Sequence, residues 1–308
     1  MTGPDMEHVE LTVPEHAGGE RADKFLAAAC ENLSRSYLQK LLKDGYVRIG
    51  QTPVKSSQKV TANTVIDLWI PEACQPEIVP ENIPLSILYE DEDVIVVNKP
   101  KGMVVHPSNG HYSGTLVNAL LYHCRDSLSG INGVTRPGIV HRIDMDTTGA
   151  LVVCKNDAAH SSLALQLKEH SITRRYRAIV CGVLKEDEGT VEAPIGRHPK
   201  DRLKMAVNRQ NGKPAVTHYR VLERLKGYTY IECMLETGRT HQIRVHMASI
   251  GHPLLGDTVY GYTKQPFSLQ GQTLHAMVLG FTHPKTGSYI ECTAPLPDYF
   301  TALLKKLK

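Results

Sequence analysis

Hydrophobic positions along the chain switch between two periods. In ADKFLAAACENL, Phe25, Leu26, Ala29 and Leu33 recur at helical spacing and predict one apolar face. SRSYLQKLLKDG repeats the pattern with Tyr37, Leu38, Leu41 and Leu42, Ser34 fits the N-cap, and Gly45 sits where such a helix ends. The segments YVRIG, PVKSSQKV and TVIDLWI then read as short strands. Residues 1–18 read as a flexible tail, so a small unit of two helices and a sheet is predicted over 19–72. The stretch PEACQPEIVPENIP (71–84) carries four prolines in fourteen residues. Proline fixes φ and removes a backbone donor, which excludes a helix interior or a central strand. A proline-rich linker is therefore expected over 73–84, ahead of a larger unit, 85–308.

In that larger unit DVIVVNKP predicts a strand running into a turn and TLVNALLYHC a helix. GIVHRIDMDTTGALVVCK reads as strand, loop, strand, and DAAHSSLALQLKEH as a helix with Asp157 as N-cap. RRYRAIVCG, THYRVLERL, YTYIECMLET and TLHAMVLGFTHP are predicted strands. THQIRVHMASIG (240–251) predicts a short helix capped by Thr240, with Ile243, Met247 and Ile250 on its buried side and Gly251 at its end. PDYFTALLKKLK is a terminal amphipathic helix. Strands and helices mix without regular βαβ alternation, which points to the α+β class.

Composition narrows the function classes. The 308 residues are 41% hydrophobic and 22% charged, as in ordinary globular proteins. No apolar run approaches the roughly 20 residues that span a bilayer, and the acidic start MTGPDMEHVELTVPEH has no apolar signal core. The seven cysteines are scattered, so neither a zinc site nor a disulfide framework is indicated, and a soluble, reduced, cytoplasmic protein is expected. Net charge is only +3, but two stretches concentrate it. Residues 33–60 hold six basic residues against one acidic, and 168–213 hold eleven against six. Such patches suit a polyanion, although two solvated faces would give the same count.

Chemistry concentrates in a few segments. If Val140 to Asp144 is extended, Arg142 and Asp144 share a face and His141 and Ile143 take the other. A carboxylate beside arginine in a partly dry loop stays ionised and could serve as nucleophile, base or electrostatic stabiliser. In TGRTHQIRVH (237–246), Gly238 and Arg239 precede a helix N-terminus, and Arg244 one turn in could reach Asp144. His241 and His246 are five apart, an awkward spacing for one metal. RRYR (174–177) places Arg175 and Arg177 on one strand face and Tyr176 on the other. NKPKG (98–102) is a turn with two lysines, and GRHPKDRLKMAV (196–207) is a basic loop. Dinucleotide and phosphate-loop glycine motifs, the metalloprotease motif and the hydrolase nucleophile elbow are absent. His141-Arg142 lacks the Asp directly after Arg that a kinase catalytic loop needs.

NKPKG, HRIDMDTTG, RRYR and TGRTHQIRVH followed by GHPLLGD, in that order, resemble the RluA/RluD-type family of RNA pseudouridine synthases over roughly 85–300. The N-terminal unit resembles the small RNA-binding domain that many synthases share with a small-subunit ribosomal protein, a layout most similar to the branch acting on large-subunit ribosomal RNA. Two departures are visible: Thr147-Thr148-Gly149-Ala150 where the family has Thr-Ser-Gly-Leu, and Ala22 where it usually has Leu. The resemblance implies a mixed, largely antiparallel central sheet with flanking helices and a cleft across it. It implies Asp144 as the essential aspartate, Arg244 as its partner, and Tyr176 as the aromatic that stacks on uracil and can move its proton. Arg142 would fill the space left by the flipped nucleotide.

The expected reaction breaks the bond from sugar to ring nitrogen, turns the base and rejoins the sugar to carbon five. It needs neither cofactor nor metal. His141, Arg239, Ile243 and Lys99 are further candidates for substrate binding, and Arg35, Lys40, Lys43, Arg197 and Lys204 for RNA contacts. The expected partner is ribosomal RNA or a ribosomal subunit precursor, without a membrane, and a monomer is expected. Two other readings remain at this stage: a non-catalytic RNA-binding or ribosome-assembly factor, and an unrelated hydrolase using Asp144 and His141.

Overall fold

The computed structural model describes residues 6–30, 33–71, 78–107, 111–125, 127–131, 133, 136–264 and 267–308. The chain forms two compact units, Met1–Glu77 and Ile78–Lys308.

The smaller unit contains β1 (Met6–Thr12), α1 (Ala22–Ala29), α2 (Arg35–Lys43), β2 (Val47–Ile49), β3 (Thr52–Pro53) and β4 (Val65–Pro71). Its antiparallel sheet has the order β1-β4-β2-β3. The helices bury Phe25, Leu26, Leu38, Leu41 and Leu42 against Val47, Ile66 and Leu68. Ser34 caps α2 as expected, its Oγ accepting from the Tyr37 amide at 3.3 Å. Gly45 follows at φ +79°, a conformation glycine adopts without strain. The reading of 1–18 as a tail is corrected for residues 6–12. Val9 and Leu11 alternate with exposed polar residues and pack on this core, and β1 pairs along its whole length with β4.

The larger unit contains β5 (Ile87–Glu90), β6 (Val94–Lys99), α3 (Leu116–Cys124), β7 (Thr148–Cys154), α4 (Asp157–Lys168) and β8 (Thr173–Cys181). There follow β9 (Glu188–Glu192), β10 (Ile195–Arg197), β11 (Met205–Val207), β12 (Val216–Leu225) and β13 (Tyr228–Leu235). The last elements are α5 (Gln242–Ser249), β14 (Leu274–Thr282), β15 (Tyr289–Thr293) and α6 (Asp298–Leu307). Among the described residues, nine strands form one sheet in the order β5-β6-β7-β14-β8-β13-β12-β9, with β15 also on β14. Every pairing is antiparallel except β7 with β14. The α+β class and the mixed, largely antiparallel sheet are thus as expected.

Burial on both faces explains the unbroken apolar runs of β6 and β7. Ile95, Val97, Leu151 and Val153 pack with Leu116 and Leu120 of α3 on one face. Val94, Val96, Val152 and Cys154 pack with Ala159 and Leu163 of α4 on the other. Each such side chain contributes about 1.5–3 kcal/mol when fully removed from water.

Two sequence expectations change here. Asn156, not Asp157, caps α4, accepting from the Ala159 amide at 2.9 Å, while Asp157 accepts from Ser129 and Gly130 in the loop after α3. Of the expected linker, 73–77 lie outside the described residues. Residues 78–84 pack along α3, where Asn118 donates to Val79 O and accepts at its carbonyl from the Glu81 amide, both at 2.9 Å.

Candidate active site

Asp144 stands in the loop before β7. A turn closes it, with the Thr147 amide donating to Asp144 O at 3.1 Å. The next residue anchors the loop: Met145 O accepts from Lys99 Nζ at 2.9 Å and from the Gly102 amide at 3.0 Å. At Gly149 the backbone turns to φ +112°, and a Cβ there would stand 2.2 Å from Ala276 O. Only glycine lets β7 approach β14 this closely, and that approach sets where the Asp144 loop ends.

Arg244, the third residue of α5, lies one hundred residues away in sequence. Its Nη1 donates to Asp144 Oδ2 at 3.0 Å. Its Nε and Nη2 grip Asp257 at 2.7 and 3.0 Å. The guanidinium therefore bridges two carboxylates, and Asp257 Oδ1 is itself fixed by the Val259 and Tyr260 amides. Burial alone would push the guanidinium down, but the hydrogen bonds and charges of Asp257 and Asp144 outweigh it and hold Arg244 above its ordinary range. The Asp144 side chain stays 19% exposed, whereas that of Asp257 is fully buried. One carboxylate can meet a ligand and the other is structural.

A cleft of about 520 Å³ opens at Asp144, within the range of small-molecule sites. Tyr176, Ile243, Leu235 and Leu274 give it an apolar wall, and Arg142 and Arg239 also line it. Tyr176 is 8% exposed, and burial pushes its phenol up, so it is protonated at neutral pH. Arg175 and Arg177 lie in the neighbouring registers opposite Met234 and Glu232. Arg142 is exposed, 3.4 Å from His106. Arg239 Nε donates to Pro214 O at 2.9 Å.

Two candidates do different work from that expected. Lys99 does not line the cleft: it is 1% exposed, and its Nζ donates to Pro100 O, Met103 O and Met145 O. It braces the loop under Asp144. His141 reaches the cleft wall, but its Nε2 accepts from the Val152 amide at 3.1 Å. Burial, helped by the charge of Arg174, pushes its imidazole down to about 3. The ring is neutral and structural, which removes the hydrolase reading of Asp144 with His141.

The start of α5 also departs from expectation. His241, not Thr240, is the N-cap residue, in the left-handed region at φ 57°. Gln242 folds back instead, accepting from Thr237 Oγ1 at 2.8 Å and from the Arg239 amide at 2.9 Å. His241 faces the cleft with Nε2 3.7 Å from Asp144 Oδ1 and Nδ1 2.7 Å from Tyr260 Oη. Burial pushes this imidazole down too. His246 points away, bonded to Thr217 and Ala193 O, so the two histidines share no ligand. Ile250, expected on the buried side, is 38% exposed. Asp257, Tyr260 and His241 were not marked as site residues by sequence. The sequence signal for Asp257 is its place at the end of GHPLLGD.

Among the described residues, two groups have cation-ligating geometry: His8, Glu10 and Asp67, and Asp91, Asp93 and His283. In the second, Asp91 already accepts from Tyr89 and His283, and Asp93 from Asn156. None of these residues lines the cleft.

Residues 93–249 match the RNA pseudouridylate synthase family, and residues 20–66 match the S4 domain. The chain belongs to the RNA pseudouridylate synthase family. A relative in Bacillus subtilis, the uncharacterized RNA pseudouridine synthase YlyB, is 52% identical over 98% of this chain and 99% of its own. Ribosomal large subunit pseudouridine synthase D of Zymomonas mobilis is 50% identical over 97% of each chain. Among solved structures, human RNA pseudouridylate synthase domain containing 1 superposes with TM-score 0.58 at 30% identity, covering 70% of this chain and 85% of that one. The pseudouridylate synthase match includes the Asp144 loop, Tyr176 and Arg244, and excludes Asp257 and Tyr260.

Proposed function

We propose that this synthase converts selected uridines of large-subunit ribosomal RNA to pseudouridine, with Asp144 as the reacting carboxylate. One observation carries the reading: among the described residues Asp144 is the one carboxylate lining the cleft, and Arg244 donates to it from the buried side. The names of the Zymomonas mobilis and Nitrosomonas europaea relatives, both ribosomal large subunit pseudouridine synthase D, support the substrate class.

The reaction is an isomerisation. The bond from sugar C1′ to ring N1 breaks, a bond from C1′ to C5 forms, C5 loses a proton and N1 gains one. Asp144 attacks the sugar or the ring, and its charge is available because Arg244 pairs with one oxygen only. Tyr176 gives the freed base a stacking face and carries a phenolic proton within the cleft. Ile243 packs against the same base, and Arg142 fills the gap left in the RNA. Extruding the uridine costs a few kcal/mol. Phosphate contacts offset that cost. They come from Arg239 at the rim, from Arg197 and Lys204 of the β10–β11 hairpin, and from Arg35, Lys40 and Lys43 on the exposed side of α2. Arg35 lies 3.5 Å from Asp23, so it is partly committed within its own unit.

Mapping pseudouridine in ribosomal RNA from cells with and without the gene tests the reading. Loss of specific large-subunit positions is the expected result, and an unchanged map in all RNA overturns it.

A further inference from the structure

We propose that Arg174 is the centre of a phosphate subsite beside the cleft, which grips the RNA backbone next to the extruded uridine. The inference rests on the function proposed above and goes beyond it, because nothing in that chemistry requires Arg174.

Arg174 is 7% exposed, and among the described residues no carboxylate lies within ion-pair distance of it. Its Nη2 donates to Glu236 O at 3.0 Å, and its Nε is buried without a hydrogen-bond partner. A guanidinium cannot shed its proton, so the charge stays. A buried charge without a counter-ion is costly, and one backbone carbonyl is a poor reason to keep it. Arg177 on the opposite face makes the contrast: it pairs with Glu232 at 3.0 Å.

The surroundings are shaped for that guanidinium and for an anion. A Cβ at Gly238 would stand 2.6 Å from Nη1, so the missing side chain leaves the space in which the fork lies. Arg174 and Tyr176 are two apart on β8 and share a face. Strand geometry separates them by about 7 Å. A base stacked on Tyr176 therefore brings its own backbone within reach of Arg174. Among the described residues, the cleft lining adds Arg142, Lys168, Arg239 and Arg244 against Asp144 alone. Arg174 also stands where this cleft meets a second groove of about 960 Å³, lining both together with His170 and Leu235. A chain leaving the cleft by that route passes directly over it. A uracil carbonyl would accept a single hydrogen bond and leave the charge unbalanced, whereas a phosphate matches both the fork and the charge.

The test is a double-mutant cycle between protein and RNA. A ribosomal RNA fragment modified by the wild-type enzyme is made with one methylphosphonate at a time, at each linkage within two nucleotides of the target uridine. The neighbouring 2′-oxygen is methylated in both the native and neutral versions. At one linkage the neutral group is expected to weaken wild-type binding about tenfold. Arg174→Gln is expected to weaken binding of native RNA by a similar factor and to be indifferent to that linkage. Its salt dependence should flatten by about one phosphate's worth, while its turnover at saturating RNA stays within about threefold of wild type. Losses that multiply, or lost turnover with unchanged RNA affinity, overturn the subsite. The linkage scan on wild type alone decides the matter if Arg174→Gln does not fold: indifference to every linkage overturns it. A wild-type enzyme that modifies no RNA sinks the proposed function instead, a separate outcome.

Discussion

Arg244 is fixed by two carboxylates that do different jobs. Asp257 holds the guanidinium from a fully buried position, and Asp144 meets its free end at the cleft. Removing Asp257 leaves Arg244 Nε and Nη2 buried without their partners. Asp257→Ala is expected to destabilise the fold by about 3–5 kcal/mol, read from urea unfolding, and to abolish turnover. His141 gives a prediction of opposite character. Its folded pKa is about 3, against an ordinary value of 6.5. Between those values the unfolded chain binds the extra proton, so stability is complete above pH 6.5 and falls as pH drops toward 3. His141→Gln keeps an acceptor near the Val152 amide. Its unfolding free energy is expected to show a slope between pH 4 and 6 shallower by about one proton than wild type. Sequence singles out Asp144, Tyr176 and Arg244, which the fold brings to one cleft, because each sits in a short, distinctive segment. It misplaced Lys99 and His141 because residue type advertises chemistry, while burial and partners decide whether it is available. It missed Asp257 and Tyr260 because their contacts with Arg244 and His241 exist only once distant segments meet.

Elements were legible where periodicity and caps agree. The Tyr37, Leu38, Leu41, Leu42 stripe and the Ser34 cap gave α2 within its observed bounds. Ser34→Ala is expected to cost about 1 kcal/mol in thermal unfolding. Caps failed where the first helical residue resembles a cap, as at Asp157, and where a side chain beyond the start folds back, as at Gln242. The strand β1 was hidden because charged residues dominate it and only Val9 and Leu11 face inward. The short strands β10 and β11 carry too few residues to show a period. Gly149 ties element geometry to the site. Gly149→Ala places a Cβ against Ala276 O in a left-handed conformation. A loss of more than about 3 kcal/mol in stability is expected, with the β7–β14 pairing and the Asp144 loop lost together.

At the scale of the whole molecule, the cleft belongs to one unit, while each unit has a core of its own. Among the described residues, the cleft lining and four apolar clusters belong to Ile78–Lys308, and one cluster belongs to Met1–Glu77. A chain of residues 78–308 is expected to unfold in one cooperative calorimetric transition and to keep the chemistry on a short RNA, with weaker affinity for large ribosomal RNA. The chain's small net charge conceals both basic patches, because the basic residues are concentrated and not numerous. The most direct measurement is tritium release from ribosomal RNA labelled at uracil C5, comparing the full-length wild-type chain with Asp144→Asn. Wild type should release tritium, while Asp144→Asn, unfolding at the same midpoint and still binding the RNA, should be slower by at least about a hundredfold. A folded Asp144→Asn that releases tritium at the wild-type rate would contradict the central role of that carboxylate.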